Sequence, residues 1–198
     1  MLCAGCFFVD KVGCSLSVLY TRAGIFLISC VEYITPKRKI QARLFLSFTI
    51  SLHENGFGGC LADDMGLGKT FQVIAYLSDR RFCNTHNLII MQKTLLLNWL
   101  REISKFNNNL KTIIYHGKRR DINGLKDFEI ILTTYGVVVN DILKFQQMEF
   151  CNIVLDEAQQ IKNEKSKAYL AVTKLRAQTK ISLTGTPIEN NLKEYLNP

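Results

Sequence analysis

Three features of the sequence predict an α/β domain built on a mostly parallel sheet. From Gly59 onward, short apolar runs alternate with stretches of helical pattern. A turn carrying Gly66 and Gly68 stands between one apolar run and a helical pattern that begins at Lys69. A later apolar run ends on adjacent carboxylates, Asp156 and Glu157. In an open parallel sheet that pair lies at the carboxyl edge, where ligands bind.

In chain order, the expected strands are 60–62, 88–91, 112–115, 130–133, 153–155 and 181–183. The expected helices are 69–79, 95–106, 137–145 and 166–175. In the last of these, Ala168, Val172 and Leu175 recur at i, i+4 and i+7, so one face is apolar and Lys167 and Lys174 point elsewhere. That helix should cover the sheet and show its lysines to solvent. Pro36, Pro187 and Pro198 sit at apparent boundaries. We therefore divide the chain into an uncharacterised N-terminal segment, residues 1–37, and a main domain over 38–198.

Composition fits a folded globular protein: of 198 residues, 47% are hydrophobic and 21% charged. A chain of this size buries roughly 70% of its unfolded surface, enough for one sizeable core. Lys and Arg exceed Asp and Glu to give a formal charge of +8, which favours an anionic ligand or polyanionic partner. The seven cysteines are odd in number, and Cys3-x-x-Cys6 has no second such pair to complete a zinc site. Free thiols of this kind suit a reducing, intracellular compartment. The apolar N-terminal stretch is interrupted by Asp10, Lys11 and Arg22, so neither part of it reads as a signal peptide or membrane span. His53, His86 and His116 lack ligand spacing, and Trp99 reads as a core anchor.

The stretch GGCLADDMGLGKT, residues 58–70, departs from the strict phosphate-loop pattern because Asp63 holds the position of the first glycine. Its end, Gly68-Lys69-Thr70, is the discriminating triplet. A strand, a glycine turn and a helix starting at Lys69 aim backbone N–H groups and a positive helix end at a phosphate. Lys69 then reaches the β- and γ-phosphates and Thr70 binds magnesium. Downstream, Asp156 is placed to hold the same ion, and Glu157 to orient and deprotonate a water.

With these motifs in order, the chain resembles the first ATPase lobe of the Swi/Snf-related family of helicase-like DNA translocases and chromatin remodellers. The family's phosphate loop has the form D-D-M-G-L-G-K-T, which accounts for Asp63. The resemblance implies a RecA-like, mostly parallel sheet flanked by helices, with ATP and Mg2+ as cofactors. It makes Asp64, Met65, Gly66, Leu67, Gly68, Lys69 and Thr70 the nucleotide cradle. LDEAQQIKN, residues 155–163, is similar to the family's D-E-[AG]-[HQ] box, and ISLTGTPIEN, residues 181–190, to its L-T-G-T-P block. By match, Thr184, Gly185 and Thr186 couple the γ-phosphate to movement on DNA, with Gln159 as their partner.

Three further blocks fit: LIIMQKTLLLNWLREISKF (88–106), which carries Lys93; YHGKRR (115–120); and ILTTYGVV (131–138). The resemblance implies DNA-backbone contacts from Lys93, Thr133 and Thr134, which position a strand without reading bases. Two departures stand out. Gln92 occupies a position where the family has proline, and the adenine-reading segment retains Gln41 as its one candidate glutamine, with Phe48 at the tryptophan position. The pattern ends near Asn191, and the family's second lobe is absent from the sequence. The expected function is the ATP-binding lobe of a DNA-dependent ATPase and translocase. Its expected partners are double-stranded DNA, nucleosomes or other DNA-bound proteins, and a second ATPase lobe that completes the site. The alternative is a nucleotide- or DNA-binding fragment without turnover. The compartment is the nucleus for a eukaryotic source and the cytoplasm for a bacterial one.

Overall fold

Strands that are apolar at nearly every position need cover on both faces of their sheet, and the structure provides it. The computed structural model describes residues 58–62, 68–78, 85–118 and 120–185. Among these residues six strands form: β1 (Gly59–Ala62), β2 (His86–Met91), β3 (Thr112–Ile114), β4 (Ile130–Thr134), β5 (Glu149–Leu155) and β6 (Arg176–Thr184). They pair in parallel throughout, in the order β1-β6-β5-β2-β4-β3. The helices are α1 (Lys69–Leu77), α2 (Leu96–Phe106), α3 (Tyr135–Asn140), α4 (Ile142–Phe145) and α5 (Lys167–Thr173). Among the described residues no helix is long and apolar enough to cross a membrane.

Strand alternation sorts the core into two layers. Ile89 and Met91 of β2, Ile130 and Leu132 of β4, Val154 of β5, and Ile181 and Leu183 of β6 face one side. There they meet Val73, Ile74 and Leu77 of α1 and Leu96, Trp99 and Ile103 of α2. Leu88, Ile90, Ile131, Ile153 and Leu155 face the other side, against Val137 and Val138 of α3, Phe145 of α4, and Ala171 and Val172 of α5. Each fully buried Leu, Ile or Phe contributes about 1.5–3 kcal/mol by leaving water. Of the expected apolar face, Val172 and, just beyond the end of α5, Leu175 are buried while Ala168 is half-buried; Ala171 joins them in the core, and Lys167 and Lys174 are exposed as expected. The Lys180 ammonium donates to the carbonyls of Val172 and Thr173, which closes the C-terminal end of α5.

The largest departures from the sequence reading lie in β6, in β5 and in the helix expected over 137–145. β6 begins at Arg176 rather than 181, because its polar first half pairs with β5 alone, and β1 joins it only from Ile181. Gly58, just before β1, has no side chain because a Cβ there would lie 2.8 Å from the Lys180 carbonyl oxygen. β5 likewise extends back to Glu149. The single helix expected over 137–145 starts earlier, at Tyr135, with the Thr134 hydroxyl accepting from the Val137 N–H, and it breaks at Asp141.

Asp141 breaks the helix because its carboxylate is engaged elsewhere. It accepts from Arg120 Nε at 2.7 Å and from the Tyr115 hydroxyl at 3.2 Å, and Lys144 Nζ lies 3.4 Å away. Arg120 also donates to the Gly117 carbonyl and lies over the Tyr115 ring. The block YHGKRR is thereby folded back onto the α3–α4 junction. The Arg120 hydrogen bond holds the Asp141 carboxyl below its ordinary value, against burial. A carboxylate depressed in the folded state adds stability above its unfolded pKa, about 4, and loses it as pH falls through the folded value. Asp141→Asn is therefore expected to cost about 1.5–3 kcal/mol at pH 7, with the gap from wild type closing below about pH 4. Urea unfolding across pH checks this, and a gap that persists at low pH contradicts it.

Candidate nucleotide site

Because every strand runs the same way, their C-terminal ends share one edge. Register places Ala62 of β1 beside Thr184 of β6, Leu155 of β5 beside Ser182 of β6, and Leu155 beside Ile90 of β2. The chain leaving β1, the Asp156-Glu157 pair leaving β5 and Gly185 leaving β6 thus converge.

Gly68 caps α1 in the left-handed region, φ 84, which a side chain rarely adopts, and its carbonyl accepts the Gln72 N–H. The helix starts at Lys69, where the sequence placed it, with Thr70 next. No acidic residue occupies the first turn, so the positive helix end is not neutralised locally. The Lys69 charge acts on Asp156 across the site.

Asp156 follows Val154 by two positions and so projects to the α1–α2 side of the sheet. It is 9% exposed, with all of its polar groups engaged. Oδ2 accepts the Trp99 indole N–H at 2.8 Å and Oδ1 accepts the Glu157 N–H at 3.0 Å. Its own N–H donates to the Ile90 carbonyl, and its carbonyl accepts the Tyr135 hydroxyl at 2.8 Å. Burial raises the carboxyl pKa above its ordinary value, opposed by the Trp99 bond and the Lys69 charge. Burial, with the charges of Asp156 and Glu157, holds the Tyr135 phenol far above the ordinary tyrosine range. Tyr135 is therefore a neutral donor at any physiological pH.

Glu157 is the one non-glycine residue at positive φ among those described, with φ 51 and ψ 49. This backbone costs about 1–2 kcal/mol and turns the carboxylate out of the strand's alternation. Gln159 Nε2 donates to Glu157 Oε2, while Gln159 Oε1 accepts the Thr184 hydroxyl at 3.0 Å. The amide orientation follows from chemistry, since a carboxylate only accepts and so faces the NH2. Gln159 thus bridges the acidic pair to the end of β6.

The nucleic-acid candidates divide. Lys93 is exposed, in a one-turn 3-10 helix (Lys93–Leu95) just past the C-terminal end of β2. Gln92 before it holds φ −69, the value a proline would fix, and its carbonyl accepts the Leu95 N–H, so the turn forms without the ring. Thr133 requires correction as a surface hydroxyl: it is wholly buried and donates to the Tyr115 carbonyl at 2.9 Å. The Thr134 hydroxyl is 3.4 Å from the Val137 N–H that it caps. Gln41, Asp64, Met65, Gly66, Leu67 and Thr186 lie outside the described residues, as do residues 1–37. Sequence reasoning did not find the tie of Trp99 and Tyr135 to Asp156. The available signal was that a buried indole or phenol needs a polar partner.

The described donors fit a nucleotide with a hard cation. Lys69 and the α1 N-terminus suit phosphates, and a hydroxyl and a carboxylate, Thr70 and Asp156, suit an oxygen-preferring ion. A cation beside Asp156 would also offset the burial of its charge.

The parallel α/β fold gathers these donors at one sheet edge, an arrangement suited to an anionic ligand. The sequence matches the SNF2-related domain over residues 41–197, and the chain belongs to that family. It is 37% identical over 168 residues to the chromatin-remodeling ATPase INO80 of Lodderomyces elongisporus, covering 75% of this chain and 10% of that protein. It is also 37% identical over 169 residues to the human SWI/SNF-related matrix-associated actin-dependent regulator of chromatin subfamily A member 1, covering 80% and 16%. The Sulfolobus solfataricus SWI2/SNF2 ATPase core in complex with dsDNA superposes with TM-score 0.71 at 43% identity, covering 79% of this chain and 33% of that one. The chain therefore spans a small part of each of these relatives.

Proposed function

We propose that this chain is the ATP-binding lobe of a DNA-dependent ATPase that moves along double-stranded DNA. The observation that carries the reading is the continuous contact from Asp156 through Glu157 and Gln159 to Thr184 at the carboxyl edge beside Lys69. Lys69 and the first turn of α1 bind the β- and γ-phosphates. Thr70 and Asp156 hold magnesium, which, when bound, neutralises charge developing on the transferred phosphoryl group. Glu157 orients the attacking water and takes its proton at a carboxylate oxygen. Gln159 relates the state of that carboxylate to Thr184, and through the end of β6 to the segment that follows.

Family membership and the DNA-bound Sulfolobus relative support DNA as the partner, and the chain's net charge of +8 agrees with it. Turnover draws on a second lobe, whose arginines reach the γ-phosphate from the opposite side. Such contacts raise rates about a thousand- to a hundred-thousandfold, or roughly 4–7 kcal/mol at about 1.4 kcal/mol per decade. The 198-residue chain alone is therefore expected to bind Mg-ATP and hydrolyse it slowly, with no stimulation by DNA, while joining it to a matching lobe gives DNA-dependent hydrolysis. Steady-state ATPase assays with and without duplex DNA test this, and robust DNA-stimulated turnover by the single chain would refute the two-lobe requirement. DNA binding should be tolerant of sequence, with log K falling against log salt by about 0.9 per phosphate contacted. Affinity that does not change with salt would contradict that mode of contact.

A further inference from the structure

Trp99 lies in the first turn of α2, is 2% exposed, and sits among Leu96, Ile103, Met91 and Val154 in the layer toward which Asp156 projects. A tryptophan that served packing alone would leave its N–H toward solvent or on a nearby carbonyl. Here the N–H is spent on a carboxylate oxygen 57 residues away, at 2.8 Å in a buried setting.

The other polar atoms of Asp156 are held by β2, by α3 and by the following residue, so Trp99 supplies the remaining constraint, the one on the rotation of the carboxylate. Oδ2 accepts the indole N–H and Oδ1 the Glu157 N–H, so each oxygen keeps one open lone pair and the two donors together set how the carboxylate is turned. We infer that Trp99 is a positioning residue for the ion-binding carboxylate: its indole N–H fixes Asp156 in the orientation that binds magnesium with nucleotide. This inference rests on the reading of Asp156 as a metal ligand given above. Groups that orient a metal ligand through its other oxygen commonly control affinity for the ion as much as stability does.

The test separates orientation from packing. Trp99→Phe retains an aromatic ring in the core and deletes only the donor edge. In the full 198-residue chain, a fluorescent ATP analogue is titrated in magnesium and in EDTA, with far-UV circular dichroism confirming the fold. The expected result is a loss of about 10- to 100-fold in the affinity gained from magnesium, with affinity in EDTA unchanged. Equal losses in both media, or none in either, would overturn the inference.

Asp156→Ala is the control on the underlying reading. If its loss is the same with and without the ion, the metal-ligand reading fails. If its loss is specific to magnesium while that of Trp99→Phe is not, the positioning role alone fails.

Should Trp99→Phe not fold, the wild-type chain still decides, because Trp99 is its only tryptophan. Magnesium titrated into the nucleotide-loaded chain should change the indole emission with the same midpoint as the analogue titration. Emission that stays constant through that midpoint would overturn the inference.

Discussion

Glu157→Gln is expected to lower hydrolysis about 10²–10⁴-fold and to leave Mg-ATP affinity intact. The amide matches the carboxylate in shape and still offers Gln159 Nε2 an oxygen acceptor, so the bridge to Thr184 can persist. It cannot take up a proton from water at neutral pH, and only that function is removed. The left-handed backbone at position 157 strains Gln as it strains Glu, so the fold should carry the change. Single-turnover hydrolysis in a two-lobe protein containing this lobe, measured beside nucleotide binding, reads both quantities. Retained turnover would remove Glu157 from the chemistry and return the general-base role to another group.

Lys69→Ala is the second large effect. Removing one member of a desolvated, hydrogen-bonded charge pair costs about 2–5 kcal/mol, which corresponds to roughly 30- to 5000-fold in nucleotide affinity. Lys69 is the first residue of α1, and Gly68 with its left-handed cap remains, so the helix should start in the same place. Titration with a fluorescent ATP analogue measures the loss. Unchanged affinity in a folded variant would exclude the phosphate role of this lysine.

The parts of the fold that were legible in the sequence are those whose physics is local. β2 and β4 were legible through their apolar runs, 88–91 and 130–132, because helices cover both faces of the sheet there. The start of α1 at Lys69 followed from the glycines before it. The parts that were hidden depend on partners distant in sequence. The first half of β6, from Arg176 to Lys180, is polar because β1 does not reach it, and nothing within the segment announces that. The break at Asp141 is set by Arg120 and Tyr115, which arrive from the end of β3. Thr133 looked like an available hydroxyl, yet it is wholly buried and spent on the Tyr115 carbonyl, which arrives from just beyond β3. The carboxylates of the site were visible as a motif, whereas the aromatic groups gripping Asp156 became visible only once α2 and α3 were placed on opposite faces of the sheet.

The pairing of β1 has a consequence for how the molecule comes into being on the ribosome. Among the described strands β1 pairs with β6 alone, Gly59 with Ile181, so the first of them to be made finds its neighbour only when the last of them is made. At synthesis rates of about 5–20 residues per second, it waits on the order of ten seconds. During that interval β2 to β5 can already assemble, since their pairings are mutual. A nascent chain halted before β6 would hold the acidic pair and most of the core, but would have no docked β1 to bring Lys69 to them. On the reading of Lys69 as a phosphate ligand, competence to hold nucleotide is expected to arrive with β6 rather than to grow with chain length.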